Sequence, residues 1–204
     1  MIYRISGRIR LQKSIKRKID KRWPFKGGDW DLDTEDVKCF KKSVKVQLLE
    51  LQKEKCAYCG LTLDETGRSE IEHFAPKGGP IIPKHVEFMF TVFNLVLSCN
   101  LCNSPIKKGR FDTLITKDSD YSKCTFRIVH PYFDDTKEHY DWAGNDGKLL
   151  IQGKSTKGLK SISLFKLDSS RHSEARAKQL TYETLMMTKD GRDLIDKILN
   201  YRNS

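Results

Sequence analysis

The sequence predicts an α+β protein in which a short region of strands and turns lies between helical segments. Apolar residues recur every three or four positions over residues 34–54 and again from Ser169 onward, which is the period of an amphipathic helix. The stretch between them contains paired cysteines, short apolar runs and many turn-forming residues. We therefore expect a small stapled core with an N-terminal basic arm and helix and a helical C-terminal extension.

The first 26 residues are strongly basic. They contain ten lysines and arginines and one acidic residue, in a chain whose net charge is +11. Such a segment suits nucleic acid, because each phosphate that is neutralised releases a counterion. An anionic membrane or an acidic protein would attract it as well, and a solvated tail without a set partner is the plain alternative. The arm residues that we expect to contact phosphates are Arg8, Arg10, Lys16 and Arg17.

A turn and then a helix follow the arm. The segment WPFKGGDWD, residues 23–31, contains proline and two glycines, which favour a turn. The next residues predict a helix over 34–54, with Asp33 or Thr34 at its start and acidic residues in its first turn. Its apolar face is Val37, Phe40, Val44, Leu48 and Leu51. We divide the chain into the arm (1–30), a core with its preceding helix (31–118) and an extension packed on the core (119–204).

The extension begins with strand-like patterns and ends with helical ones. Residues 125–152 alternate short apolar runs with the turn signals PYFDD and GNDG, which predicts a few strands or a hairpin. From Ser169 onward an apolar helical stripe is interrupted near Asp190 and Gly191.

Hydropathy excludes a membrane-spanning class for this sequence. No stretch approaches the ~20 apolar residues that a spanning helix needs, and the N-terminus has no continuous apolar region of the kind that signal peptides carry. We expect a soluble, cytoplasmic protein.

Four of the six cysteines form two C-x-x-C pairs, Cys56 with Cys59 and Cys99 with Cys102. Two residues between cysteines allow both sulfurs to face one ion, and two such pairs complete a tetrahedral structural zinc site. The 39 residues between the pairs exceed the ~15–20 of a simple zinc ribbon, so a folded unit should lie between them. A redox pair and chance are the alternatives. We expect Zn²⁺ that contributes to folding and leaves no open position for catalysis.

Polar residues typical of hydrolytic sites lie between and just after these pairs. They are Glu72, His73, Asn94 and Asn103, and each of them alone is weak evidence. Together with the cysteines they give the order C-x-x-C, EHFAPKGG, FNLVLSCNLCN and a trailing Lys-Lys-Gly. On these residues, from Cys56 to about Arg110, the chain resembles the HNH endonucleases of the four-cysteine, zinc-bound type. More loosely, IEHFAPK, IVHPYFDD and the helical tail resemble HNH proteins of retron-associated and Septu-type anti-phage systems.

The resemblance implies a zinc-stapled ββα-metal (HNH) core and a phosphodiesterase mechanism. His73 on the first strand is then the general base, and Asn94 orients its ring. Glu72 and Asn103, the latter at the start of a short helix, would hold one divalent ion, Mg²⁺ or Mn²⁺. Many members have Asp or His where this chain has Glu72, so direct or water-mediated ligation stays open.

The substrate and the partners are less determined. The leading interpretation is a DNA endonuclease. An RNA-cleaving enzyme, and a zinc-stapled module that binds nucleic acid or a partner without catalysis, are the alternatives. Four cations close to the motif are candidates for phosphate contacts, although a solvated helix end is the plain alternative for the last three. They are Lys77, Lys107, Lys108 and Arg110. The defence-system resemblance implies an ATPase partner protein for the helical tail.

Overall fold

The protein, seen in a computed structural model, is a mixed α/β fold with helices at both ends of the chain. The structure describes residues 1–65, 67–143 and 149–201. The helices are α1 (Lys13–Asp20), α2 (Glu35–Leu51), α3 (Thr136–His139), α4 (Thr156–Phe165), α5 (Ser170–Met187) and α6 (Lys189–Asn200). The strands are β1 (Ser69–His73), β2 (Leu95–Cys99), β3 (Leu114–Thr116), β4 (Thr125–Phe126), β5 (Tyr140–Ala143) and β6 (Leu150–Gly153). They pair as β1–β2, β3–β4 and β5–β6, each antiparallel.

Helix α2 confirms the predicted helix and its apolar face. Four of the five residues of that face are buried, and Leu51 packs against them. The helix ends three residues earlier than predicted, because Lys53 and Glu54 adopt left-handed backbone conformations. Gln52 then bonds β2 through both groups of its amide: its Nε2 donates to the Leu97 carbonyl at 2.9 Å and its Oε1 accepts from the Leu97 N–H at 2.7 Å.

The basic arm is folded against the rest of the protein. Its isoleucines Ile2, Ile5, Ile9 and Ile19 are buried, and the Ile5 N–H donates to the Pro131 carbonyl at 2.8 Å. The four arm cations singled out above are exposed. Apolar residues therefore anchor the arm, while Arg8, Arg10, Lys16 and Arg17 face solvent.

One hydrophobic cluster includes residues from the arm, from the core and from the extension. Tyr58, in the first cysteine pair, stacks on Phe165 of α4 with ring centroids 4.3 Å apart. Phe74, directly after β1, packs edge-on against Phe126 of β4 at 5.2 Å. The three sequence regions therefore share a core.

The extension contains the predicted hairpin and helical tail. Strands β5 and β6 are antiparallel, with Tyr140 opposite Gly153 and Ala143 opposite Leu150. The predicted turn GNDG, residues 144–147, lies outside the described residues. Helix α5 ends before Thr188, whose hydroxyl accepts from the Gly191 N–H and caps α6. Among the described residues, no helix is long and apolar enough to cross a membrane.

Candidate metal centre and active site

The four paired cysteines meet at one point of the structure. Their sulfur atoms all lie within 4.8 Å of one another, and Cys59 Sγ is 4.0 Å from Cys99 Sγ. A tetrahedral Zn–S shell has sulfur atoms about 3.8 Å apart, from a bond of about 2.3 Å. Three of the cysteines are buried and Cys99 is half-buried. The cysteines are therefore positioned to bind a metal ion, and their chemistry and spacing fit Zn²⁺.

The β-hairpin explains how the second pair reaches the first. Cys99 ends β2 and faces Ser69 across the β1–β2 ladder, and its N–H donates to Cys56 Sγ at 3.4 Å. The pKa of the Cys102 thiol is raised by its hydrogen bond to Cys56, and that of Cys99 is lowered by its hydrogen bond to Cys102. Four thiolates this close repel one another, and a bound cation would compensate their charge.

Buried cations lie around the cysteine cluster. Arg176 of α5 is 4% exposed, and its pKa is lowered by burial and raised by the nearby Cys59. Lys107 is also buried, and its Nζ has no hydrogen-bond partner within the described parts of the chain. Burial, and then the charge of Lys107, lowers the pKa of His172, and the nearby Cys99 opposes this shift. A zinc ion with four thiolates carries a net negative charge, which these cations would offset.

His73 is the last residue of β1 and is buried. Its Nε2 lies 3.0 Å from the Met89 carbonyl oxygen, and its ring packs edge-on against Trp30 at 4.4 Å. A carbonyl accepts only, so Nε2 carries the proton and Nδ1 keeps the basic lone pair. Burial, and then the charge of Lys77, lowers the pKa of His73 to about 3. The ring is therefore neutral at physiological pH.

Asn94 is fully buried and uses its amide to connect two backbone segments. Its Oδ1 accepts from the Ala75 N–H at 2.7 Å and from the Tyr121 hydroxyl at 2.8 Å. Its Nδ2 donates to the carbonyls of Ala75 at 3.1 Å and Phe88 at 3.0 Å. Asn94 was predicted to orient the His73 ring. Its amide is saturated by these partners and makes no bond to the ring; it fixes the chain two residues after His73 and one residue before Met89.

Glu72 forms an ion pair with Lys108, which was predicted to contact phosphates. The Lys108 ammonium also donates to the His73 carbonyl at 2.8 Å, and Lys108 is 1% exposed. Burial raises the pKa of Glu72, and Lys108 opposes the shift. Because Lys108 and Lys107 are both buried, neither presents its charge to solvent. Their predicted phosphate contacts are corrected for this reason.

Asn103 lies along the same face of β1 but bonds a different carboxylate. Its Nδ2 donates to Glu70 Oε2 at 2.8 Å, and Glu70 and Glu72 share a face because strand residues two apart do. Asn103 was predicted to begin a short helix. Residues 101–110 instead form consecutive turns, since Pro105 lacks an N–H and Gly109, with φ +40°, packs its backbone against Pro105.

A cavity of about 510 Å³ opens beside Glu72 and His73. Its rim is formed by the loop that follows β1 and by the end of the turn region. Lys77 is half-buried and pairs with Asp31 at 2.9 Å, whereas Arg110 is exposed. Glu72 provides carboxylate oxygens that suit Mg²⁺ or Mn²⁺, whereas Asn103 is not among the residues that line the cavity. The cavity is lined by Glu72, His73, Pro76, Lys77, Gly78, Gly79, Pro80, Ile81, Ile82, Lys84, Gly109 and Arg110.

Three groups that support this site were missed from the sequence. They are the Met89 carbonyl that holds His73, the Trp30 ring beside it, and Lys108 as the partner of Glu72. A backbone carbonyl leaves no signal in a sequence. The Lys-Lys-Gly segment was visible, but a short helix would have exposed these lysines and the turns bury them.

Comparison with known proteins finds two relatives. The chain is 31% identical over 152 residues to Septu protein PtuB from Bacillus mycoides (strain KBAB4), an alignment that covers 67% of this chain and 50% of the relative. It is 27% identical over 160 residues to Septu protein PtuB from Bacillus thuringiensis, covering 78% of this chain and 51% of the relative. The chain thus spans about half the length of the curated relatives it matches. No family model matches it.

Proposed function

We propose that this protein is a metal-dependent HNH endonuclease that hydrolyses phosphodiester bonds in DNA as part of an anti-phage defence system. The observation that carries the proposal is the neutral, fixed imidazole of His73 beside Glu72 at the cavity, on a hairpin whose far end holds the cysteine cluster. The relatives named Septu protein PtuB support the defence context.

The chain's own groups provide the base and the binding of phosphate. Nδ1 of His73 accepts the proton of the attacking water, because Nε2 is committed to Met89. Asn94 keeps the two backbone segments around His73 in place. Lys77, Lys84 and Arg110 lie at the cavity and attract the flanking phosphates.

A divalent ion, Mg²⁺ or Mn²⁺, would be held by Glu72 and Asn103. When bound, it would supply positive charge for the developing negative charge on the phosphate. Glu72 pairs with the Lys108 ammonium, so Glu72 could bind the ion only if Lys108 gave up this contact in part or in full.

The defence context also suggests a protein partner. Helices α5 and α6 expose apolar side chains, among them Met187, Leu194, Ile198 and Leu199. An exposed apolar surface of this kind favours a protein contact. We propose that this tail binds an ATPase of the same system.

The test is cleavage of plasmid DNA and of total RNA by purified protein, with Mg²⁺, with Mn²⁺ and with chelator. We expect DNA to be cut only with metal, and His73→Ala to abolish cutting while the zinc content stays at one ion per chain. His139→Ala is the matched control, because that partly buried histidine bonds Ser155 away from the cavity. Cleavage of RNA alone would show that DNA is the wrong substrate. If the protein binds nucleic acid but cuts neither DNA nor RNA, the non-catalytic module is favoured.

A further inference from the structure

The loop between β1 and the Val86–Phe88 turn carries two isoleucines at the mouth of the cavity. Ile81 is 91% exposed and Ile82 62%, although both line the cavity that contains His73. Of the large apolar side chains that the structure describes as exposed, Ile81 has the highest exposed fraction. Two adjacent exposed isoleucines at the mouth of a cavity form an apolar patch, and apolar patches with a polar rim are typical of binding sites.

The backbone holds this tip rigidly. Gly78 and Pro83 form a β-bridge, the Gly79 N–H donates to the Ile82 carbonyl at 3.0 Å, and the Lys84 N–H donates to the Lys77 carbonyl at 3.0 Å. Pro80 and Pro83 flank the isoleucines and restrict the chain further. The tip is thus preorganised to project Ile81 and Ile82.

The base of the loop is anchored from two sides. His85 Nε2 lies 2.9 Å from Asp112, and Lys84 Nζ donates to the Arg110 carbonyl at 2.8 Å. On the other side Gly27 lies so close that an added Cβ would come within 2.8 Å of the Gly79 carbonyl oxygen. The base of the loop is therefore held in place by contacts on both sides.

Positive charge surrounds the apolar tip. Lys77, Lys84 and Arg110 line the same cavity. The carboxylates nearby are Asp31, which pairs with Lys77, and Asp112, which hydrogen-bonds His85; three cations against two carboxylates leave the rim net positive. Glu72 lies deeper, against Lys108. An apolar tip within a cationic rim matches the base stack and the phosphates of a duplex, whereas a protein surface would not require the cations.

We infer that Ile81 and Ile82 form a wedge that enters a base step of duplex DNA and unstacks it beside the scissile phosphate. Apolar side chains inserted in this way kink a duplex and open the groove. Because the wedge and His73 share one cavity, the distorted step lies next to the bond that is cut. This inference rests on the proposed function and assigns its substrate as intact duplex DNA.

The test uses the full chain and short duplexes with 2-aminopurine at successive positions, a base whose emission rises when it unstacks. We expect saturating wild-type protein, in buffer without added Mg²⁺ or Mn²⁺ so that the structural zinc is kept and nothing is cut, to raise emission at one step, and Ile81→Ser/Ile82→Ser to abolish the rise. Ile106→Ser is the matched control, since Ile106 is 76% exposed but does not line the cavity. Circular dichroism of the double variant checks that it is folded.

A second measurement links the wedge to cleavage. With metal, the double variant should cut intact duplex about tenfold more slowly than wild type, and recover most of that loss on a duplex with a mismatch at the cleaved step. Equal emission from wild type and double variant, or no rise with wild type at saturation, overturns the wedge. A rise in emission without any cleavage refutes the nuclease and leaves the wedge in place. If the double variant matches wild type in 2-aminopurine emission and in DNA cleavage but no longer protects cells against phage, the wedge is overturned in favour of a protein contact.

Discussion

His73 Nε2 lies 3.0 Å from the carbonyl oxygen of Met89. Sixteen residues separate the two in the chain, and Asn94 bonds the neighbours of both. The contact leaves Nδ1 as the basic nitrogen, within a buried ring whose pKa is lowered to about 3.

The first prediction concerns pH. Because the pKa of His73 is lowered, the ring stays in its basic form as pH falls from 8 to 5, and protonation removes the base only as pH approaches about 3. We expect kcat/KM for DNA cleavage, measured at saturating metal, to show no loss of activity with an apparent pKa near 6.5. A decline centred there would show that the imidazole is solvated in the working enzyme.

The second prediction concerns the cysteine cluster. Cys99→Ser removes one of four ligands, so the protein should lose its zinc and its Tm should fall by at least about 10 °C. Zinc content by mass spectrometry under native conditions and thermal unfolding measure both. Cys39→Ser is the control: Cys39 is half-exposed on α2 and bonds Glu35, so zinc and Tm should not change. A zinc-replete Cys99→Ser protein with the Tm of wild type would contradict the assignment.

The third prediction concerns Asn94. Replacing it with Ala leaves four hydrogen-bonding groups without their buried partner, which should lower the free energy of unfolding by about 2–4 kcal/mol. Tyr121→Phe removes one of the same bonds, together with the contact between the hydroxyl and His130 Nε2, and should cost about 1–2 kcal/mol. Urea unfolding compares the two. Equal costs would mean that the bonds to Ala75 and Phe88 contribute little.

The fourth prediction concerns the buried pair of Glu72 and Lys108. Lys108→Met leaves an unpaired buried carboxylate and should lower the free energy of unfolding by about 3–5 kcal/mol. Adding Glu72→Gln should restore part of that loss, because the second change removes the charge. A double variant as unstable as Lys108→Met would show that Lys108 acts through its bond to the His73 carbonyl. If the Lys108→Met protein is as stable as wild type but binds DNA more weakly, Lys108 contacts phosphate after all.

Several features followed from local patterns and could be predicted. The apolar residues of α2 that recur every three or four positions are the ones buried in the structure, since a helix buries residues at fixed intervals. The two C-x-x-C pairs come together because each pair already presents two sulfurs and one hairpin joins them. The positive charge of the arm was visible as well. The isoleucines that anchor the arm against the core were not recognised.

Other features depend on contacts between distant residues. Lys107 and Lys108 look like surface cations in the sequence, and only the turns around Pro105 and Gly109 carry them inward. Asn94 was expected to orient the ring of His73, but the sequence could not show that three bonds to the backbone and one to the Tyr121 hydroxyl occupy all four bonding positions of its amide.

The sequence by itself determined the helix period of α2 and the paired thiols, because each of these is a property of a few neighbouring residues. The tertiary structure decided which ring nitrogen of His73 is free, which carboxylate each of Lys108 and Asn103 bonds, and which cations face solvent. The physical reason is that hydrogen bonds and burial depend on groups far apart in the chain, whose separation is set only when the core packs.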